Sequence, residues 1–171
     1  MRTVEQIKSL RPAKSNGSVV TINGDLWYKI ENYDSIPDFF MTITSSSDVW
    51  NFIWSSGALS AGRKDSGFAI FPYYTCDKID DFKNCAGPFS AIKVKGNAND
   101  AGKDAGSTFY WEPFTTSPSF KVKRNLYKNS SGSHIVFEEI NEELNLTFKQ
   151  EWTSSAKYGL VRIARIINNS D

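Results

Sequence analysis

Few side chains in this sequence could do chemistry, and they are scattered. The chain has one histidine, His134, and two cysteines, Cys76 and Cys85. Any acid–base pair built on imidazole must use His134. Glu138 and Glu139 follow it closely, so such a pair is conceivable, although a polar residue flanking a turn is the plainer reading. Cys76 makes a poor nucleophile, because the lone histidine far along the chain would have to serve as its base. Both cysteines fall within CDKIDDFKNC. A disulfide could close that loop, but two free thiols are expected where no secretion signal is present. A zinc site would need more ligands nearby. The loop GNANDAGKDAG offers Asp100 and Asp104, whose spacing does not match a calcium-binding EF-hand loop. No metal and no cofactor is expected, and no complete catalytic motif is present.

The aromatic residues are the other group of interest. They make up 14% of 171 residues, and a β-sandwich core readily absorbs such rings. Some could instead stack on sugars. Trp50 and Trp54 share one face of any regular strand. Together they could form a sugar platform, but core packing is the first expectation, because large apolar side chains are usually buried.

Charge names no partner. The formal net charge is +1. Lys121, Lys123, Arg124 and Lys128 form a basic run, and Glu138, Glu139, Glu142 and Glu143 an acidic one. Nothing extends the basic run, so no nucleic-acid partner is expected. Instead the two runs should lie on neighbouring strands and neutralise each other across a solvated face. The N-terminal stretch MRTVEQIKSLRPAKSN has no apolar core of signal-peptide length, and no run approaches a membrane span. A cytoplasmic protein is expected, in which the sequons at Asn16, Asn129, Asn145 and Asn168 are chance matches.

The elements that must position these residues are strands. Thr3-Val4-Glu5-Gln6 resembles a capping box, predicting one short N-terminal helix or a frayed arm. Ser18–Ile22 and Asp25–Ile30 flank Asn23-Gly24, the strongest hairpin signal in the chain. The stretch from Asp38 to Tyr74 then reads as strands at 39–44, 49–55 and 68–72, with Gly57–Gly62 as the break between the last two. Further strands are expected at 89–94, 107–111, 120–128, 134–140, 143–152 and 160–168. Leu144, Leu146, Phe148 and Trp152 fall on one face of the penultimate strand, opposite Asn145, Thr147, Lys149 and Glu151. The final strand is apolar on both faces, which predicts an interior position. About ten strands with short polar turns, and no βαβ rhythm, predict one antiparallel all-β sandwich over residues 1–171.

Several segments carry a family resemblance. They are Trp27–Asn32 (WYKIEN), DFFMTITSSSDVWNFIWSSGALSAGR, Phe71-Pro72-Tyr73-Tyr74, Trp111-Glu112-Pro113-Phe114 and the closing IINNS. In this order they resemble the N-terminal domain of cellobiose-phosphorylase-like proteins, the glycoside phosphorylases that include cellobiose and chitobiose phosphorylases. The resemblance implies a β-supersandwich of the galactose-mutarotase-like type. It also implies a following helical barrel, missing from this chain, which carries catalysis: a carboxylic acid protonates the glycosidic oxygen while inorganic phosphate attacks the sugar. The catalytic acid has no counterpart here. The chain is then either the N-terminal part of a longer carbohydrate-active enzyme or a free-standing half-length relative. The resemblance implies contact with oligosaccharide or phosphate only through the full-length enzyme, packing on the barrel, and homodimerisation. The matching positions for such work are Trp50, Trp54, Arg63, Tyr73, Tyr74 and Trp111. Arg63 could bond sugar hydroxyls or phosphate through its fork, or pair with Asp65 or Glu112.

Three functions compete. A non-catalytic sugar-contacting or packing domain should present exposed Trp or Tyr on a sheet face. A self-sufficient mutarotase-like or lyase-like enzyme should place His134 within reach of a carboxylate in a pocket. A pure interaction module should offer a large apolar interface along 160–168.

Overall fold

The computed structural model describes residues 14–70, 78, 87–95 and 108–170. Asn23 and Gly24 both take positive φ, 52° and 89°, which closes β1 (Asn16–Ile22) onto β2 (Asp25–Glu31) as the Asn-Gly pair requires. These strands lead a six-stranded antiparallel sheet that continues with β8 (Val122–Asn129), β9 (His134–Asn141), β10 (Leu146–Ser155) and β11 (Gly159–Asn168), in the order β1-β2-β8-β9-β10-β11. A second sheet has three strands, β3 (Phe40–Met41), β4 (Val49–Trp54) and β5 (Leu59–Arg63), and a third pairs β6 (Ile92–Lys95) with β7 (Thr108–Trp111). The fold is an antiparallel all-β sandwich. No described helix is long and apolar enough to cross a membrane.

The core lies between the large sheet and the three-stranded one. Leu126, Ile135, Phe137 and Trp152 of the large sheet meet Met41, Ile43, Ile53, Leu59 and Ala61, with Tyr33 set edge-on to Phe137. Trp111 and Phe114 extend the same layer past the end of β7, each with its ring edge-on to Phe148. At the rim, Thr44 N–H donates to the Gly132 carbonyl at 2.9 Å and Lys128 Nζ to the Thr42 carbonyl at 3.0 Å.

Several expectations are corrected. Gly57–Gly62 is not a break: only Gly57, at φ 90°, turns, and Leu59–Arg63 is β5. Small residues suggested a turn, yet here they let residues 59–62 of β5 lie buried against β4. Of the strand expected at 68–72, the described part holds the end of a 3₁₀ turn, Ser66–Phe68, and a single bridge between Ala69 and Gly62, while Phe71 and Pro72 lie outside the described residues. The strand at 39–44 shrinks to Phe40–Met41. Beyond it the Asn51 side chain takes over the ladder, accepting from Ile43 N–H at 2.7 Å and donating to the Ile43 carbonyl at 3.2 Å. Residue Leu144 sits in the turn before β10, where Asn141 Oδ1 accepts from the Glu143 and Leu144 amides. Among the described residues β11 lies at the edge of the sheet and not in its interior, with residues 164–170 exposed. The expected N-terminal helix, the cysteine loop and Asp100 and Asp104 lie outside the described residues.

The basic and acidic runs do pair across β8 and β9, as Lys121–Glu142 at 2.6 Å and Arg124–Glu139 at 2.8 Å. The second pair is not solvated. Arg124 and Glu139 share the inward parity of Leu126 and Phe137, and the Glu139 side chain is 0% exposed. Its two oxygens accept from Trp111 Nε1 at 2.7 Å, Phe114 N–H at 2.7 Å and Arg124 Nε at 2.8 Å. Glu139→Ala should cost about 3–5 kcal/mol, because it leaves a guanidinium buried without its partner. The effect would show as a lower urea midpoint at unchanged slope. The apolar double variant Arg124→Met/Glu139→Leu should stay well below wild type, since the Trp111 and Phe114 donors would still be orphaned.

Candidate functional site

β4 reads VWNFIW, and strand alternation splits it cleanly. Val49, Asn51 and Ile53 are buried at 7%, 2% and 1%, while Trp50, Phe52 and Trp54 are half-buried on the opposite, outward face. Phe40 pairs with Trp54 and adds a fourth ring. Ring centroids lie 5.7 Å apart for Trp50–Phe52, 5.6 Å for Phe40–Phe52 and 6.4 Å for Phe40–Trp54. These are contact distances for tilted and edge-on aromatic pairs. The core expectation for Trp50 and Trp54 is thus reversed: both stand on the outer face of the small sheet. Asn51 explains the choice, because its amide must reach Ile43 on the inner side. Trp50 lies flat over Gly62, where an added Cβ would sit 2.5 Å from the indole Cζ2, and its Nε1 donates to the Asp65 carbonyl at 3.3 Å.

The other candidates do not join this cluster. Arg63 pairs with Val49 on the inner parity of β5. Its Nε lies 3.2 Å from Asp48 Oδ1, and its Nη2 donates to the Ala156 carbonyl. Asp65 and Glu112, its expected partners, are otherwise placed: Asp65 caps the 3₁₀ turn through Gly67 N–H, and Glu112 follows β7. Trp111 is 2% exposed with its one donor given to Glu139, so it offers no platform. Tyr73 and Tyr74 lie outside the described residues.

The outward face of the large sheet holds groups that the sequence did not single out together. Cross-strand register aligns Glu31, Asn125, Glu138, Lys149 and Arg165 in one row. Glu138 accepts from Asn125 Nδ2 at 2.6 Å, Tyr127 Oη at 2.9 Å and Lys149 Nζ at 2.8 Å. Burial pushes its carboxyl up, but these hydrogen bonds and the Lys149 charge outweigh that and hold it below the usual carboxylate range. Burial, then the neighbouring Glu138 charge, raises the Tyr127 phenol. One row further, His134 Nδ1 lies 2.7 Å from Glu151 Oε1, and Glu151 Oε2 accepts from Arg165 Nη1 at 2.7 Å. Burial again raises the Glu151 carboxyl, and the Arg165 and His134 contacts overcome it, so the group is depressed. It therefore orients the imidazole as a carboxylate and is not poised to give up a proton. The Trp27 ring lies 6.2 Å from that of His134. The alternation of β9 and β10 with register places these groups on one face. Sequence alone lacked the register.

No family model and no curated protein matches the chain. Among the described residues no cluster of His, Cys, Asp and Glu could hold a metal ion.

Two outcomes follow. Gly62→Ala should cost about 1–3 kcal/mol by overpacking and red-shift tryptophan emission as Trp50 is displaced. Glu138 contributes stability that is fully present above its unfolded value near about 4.3, and that is lost as pH falls through its lower folded value. Chemical denaturation on acidification below that point should show the decline, and Glu138→Gln should flatten it.

Proposed function

We propose that this chain is a non-catalytic β-sandwich domain of a cytoplasmic carbohydrate-active enzyme, of the kind found at the N-terminus of cellobiose-phosphorylase-like proteins. One observation carries the reading: Trp50, Phe52 and Trp54 stand on the outer face of β4 with Phe40 beside them, where rings are not needed for the core. A sugar ring has an apolar C–H face that stacks on such side chains, and a row of contiguous rings suits an oligosaccharide better than a small polar metabolite. In this reading phosphate and the catalytic acid belong to a separate helical barrel. The free edge of β11, with Ile166 and Ile167 exposed at 55% and 40%, is suited to packing on that barrel or on a second copy.

A stand-alone mutarotase-like enzyme is supported by the 2.7 Å contact between His134 and Glu151. Against it, His134 and Glu151 bond each other, and Glu151 also accepts from Arg165, so the two groups do not stand apart to flank a sugar ring.

Calorimetric titration with cellobiose, chitobiose and glucose tests the main reading. Saturable heat should weaken about tenfold in Trp54→Ala, equivalent to about 1.4 kcal/mol, while the near-ultraviolet dichroism stays native. Binding unchanged in Trp54→Ala and Phe40→Ala would sink it. Anomer interconversion lost in His134→Ala would favour the enzyme instead.

A further inference from the structure

Where β7 runs out, the chain turns at Glu112–Thr115 and then bends at 116–117 and 119–120 before it reaches β8. Between the two lies an open cleft of about 240 Å³, lined by Tyr110, Glu112, Thr115, Ser117, Ser119 and Phe120 among others. It is on neither the aromatic face of β4 nor the polar face of the large sheet.

Its back wall is fixed from below. Trp111 and the Phe114 amide both donate to buried Glu139, and Arg124 Nη2 donates to the Thr115 carbonyl at 2.6 Å. The turn is further closed by Thr115 N–H on the Glu112 carbonyl, with Phe114 held at φ 66°. A non-glycine residue at positive φ is a strained choice that surrounding structure must enforce. The Glu139 bonds enforce it here. The cleft is thereby preorganised, which reduces the ordering cost that binding would otherwise carry.

The lining groups are unspent. Glu112, Ser117 and Ser119 are exposed, and their side chains make no hydrogen bond or ion pair among the described residues. Tyr110 stands 68% exposed at the mouth. Lys93 lies near the Tyr110 ring, 5.8 Å from its centroid. The chemistry on offer is therefore an aromatic wall, one carboxylate acceptor and three hydroxyls that both donate and accept. A neutral polyol with an apolar ring face fits that set. A carboxylate that accepts from two vicinal hydroxyls gives stronger bonds than neutral acceptors do. An anion is disfavoured, because the charged group lining the cleft is Glu112. Drug-sized ligands occupy pockets of about 300–1,000 Å³, so this volume takes one ring and not a chain.

We propose that the cleft behind Tyr110 and Glu112 is a binding site for a single neutral pyranose unit, separate from the aromatic face of β4. The proposal rests on the carbohydrate reading above but uses none of the same residues.

The test is a heteronuclear NMR titration of the 171-residue chain with methyl β-glucoside, run alongside cellobiose. Wild type is compared with Tyr110→Ala, Glu112→Gln and Trp54→Ala. Tyr110 and Glu112 are surface residues, and a native-like dispersed amide spectrum confirms the fold of each variant. The expected result is saturable methyl glucoside binding that weakens at least tenfold in Tyr110→Ala, weakens in Glu112→Gln and is unchanged in Trp54→Ala. Three results would overturn the cleft: no saturable glucoside binding, binding indifferent to Tyr110 and Glu112, or a glucose phosphate bound as tightly as the neutral ring. If cellobiose still binds through Trp54 in those cases, the aromatic face stands and the cleft alone fails. If glucoside binds in the cleft while Trp54→Ala leaves cellobiose untouched, the cleft stands and the aromatic face fails.

Discussion

A carboxylate without exposure is costly unless donors surround it, and Glu139 has three. Removing it from water costs several kcal/mol even after relaxation. Arg124 offsets that with charge, and Trp111 and Phe114 with neutral donors. The consequence is geometric as much as energetic. The segment after β7 has little regular structure, and Glu139 fastens it to the middle of the large sheet. Phe114 is thereby delivered onto Phe137 and Phe148, and the apolar layer continues past the edge of the three-stranded sheet. Asp34, 3.7 Å from Arg124 Nη1, links the turn after β2 to the same centre. Three parts of the chain far apart in sequence thus depend on one buried pair.

The two faces of the large sheet use charge in opposite ways. Inside, one ion pair is enclosed and fully bonded. Outside, Glu31, Glu138 and Glu151 pair with Lys29, Lys149 and Arg165, and the ammonium groups of Lys29 and Lys149 lie 5.7 and 6.0 Å from the centre of the Tyr127 ring. Such a face can stay polar without a further layer over it. The small sheet differs, since its outer face carries Trp50, Phe52, Trp54 and Phe40. That contrast is the reason the proposed sugar contact is assigned to the small sheet.

Much of the fold was legible. Asn23-Gly24 dictated the first hairpin, because that pair alone tolerates two successive positive φ angles cheaply. The alternation of Phe148 and Trp152 against Lys149 and Glu151 gave β10 its inner and outer faces, although the strand runs over Leu146–Ser155 and not 143–152. Little of the candidate site was legible. Trp50 and Trp54 were seen to share a face, but not which face. Arg63 was grouped with them by position along the chain, yet the register of β5 turns it toward Asp48 and Ala156. The one sequence signal that could have revealed the Glu139 centre was parity. Arg124 and Glu139 fall in step with Leu126 and Phe137, which puts one charge on the inward face of each of two adjacent strands, where a solvated face had been expected for both runs.

By itself the sequence determined the first hairpin turn and the period of the strands that alternate, since turn chemistry and side-chain alternation are properties of neighbouring residues. Only the tertiary structure decided which face of β4 meets the core, that Leu59–Arg63 is a strand, and that β11 ends the sheet. Each of these depends on partners supplied from elsewhere: Ile43 for Asn51, Trp50 for Gly62, β10 alone for β11. Period two gives every strand two faces, and the choice between them is made by what the rest of the chain brings against it.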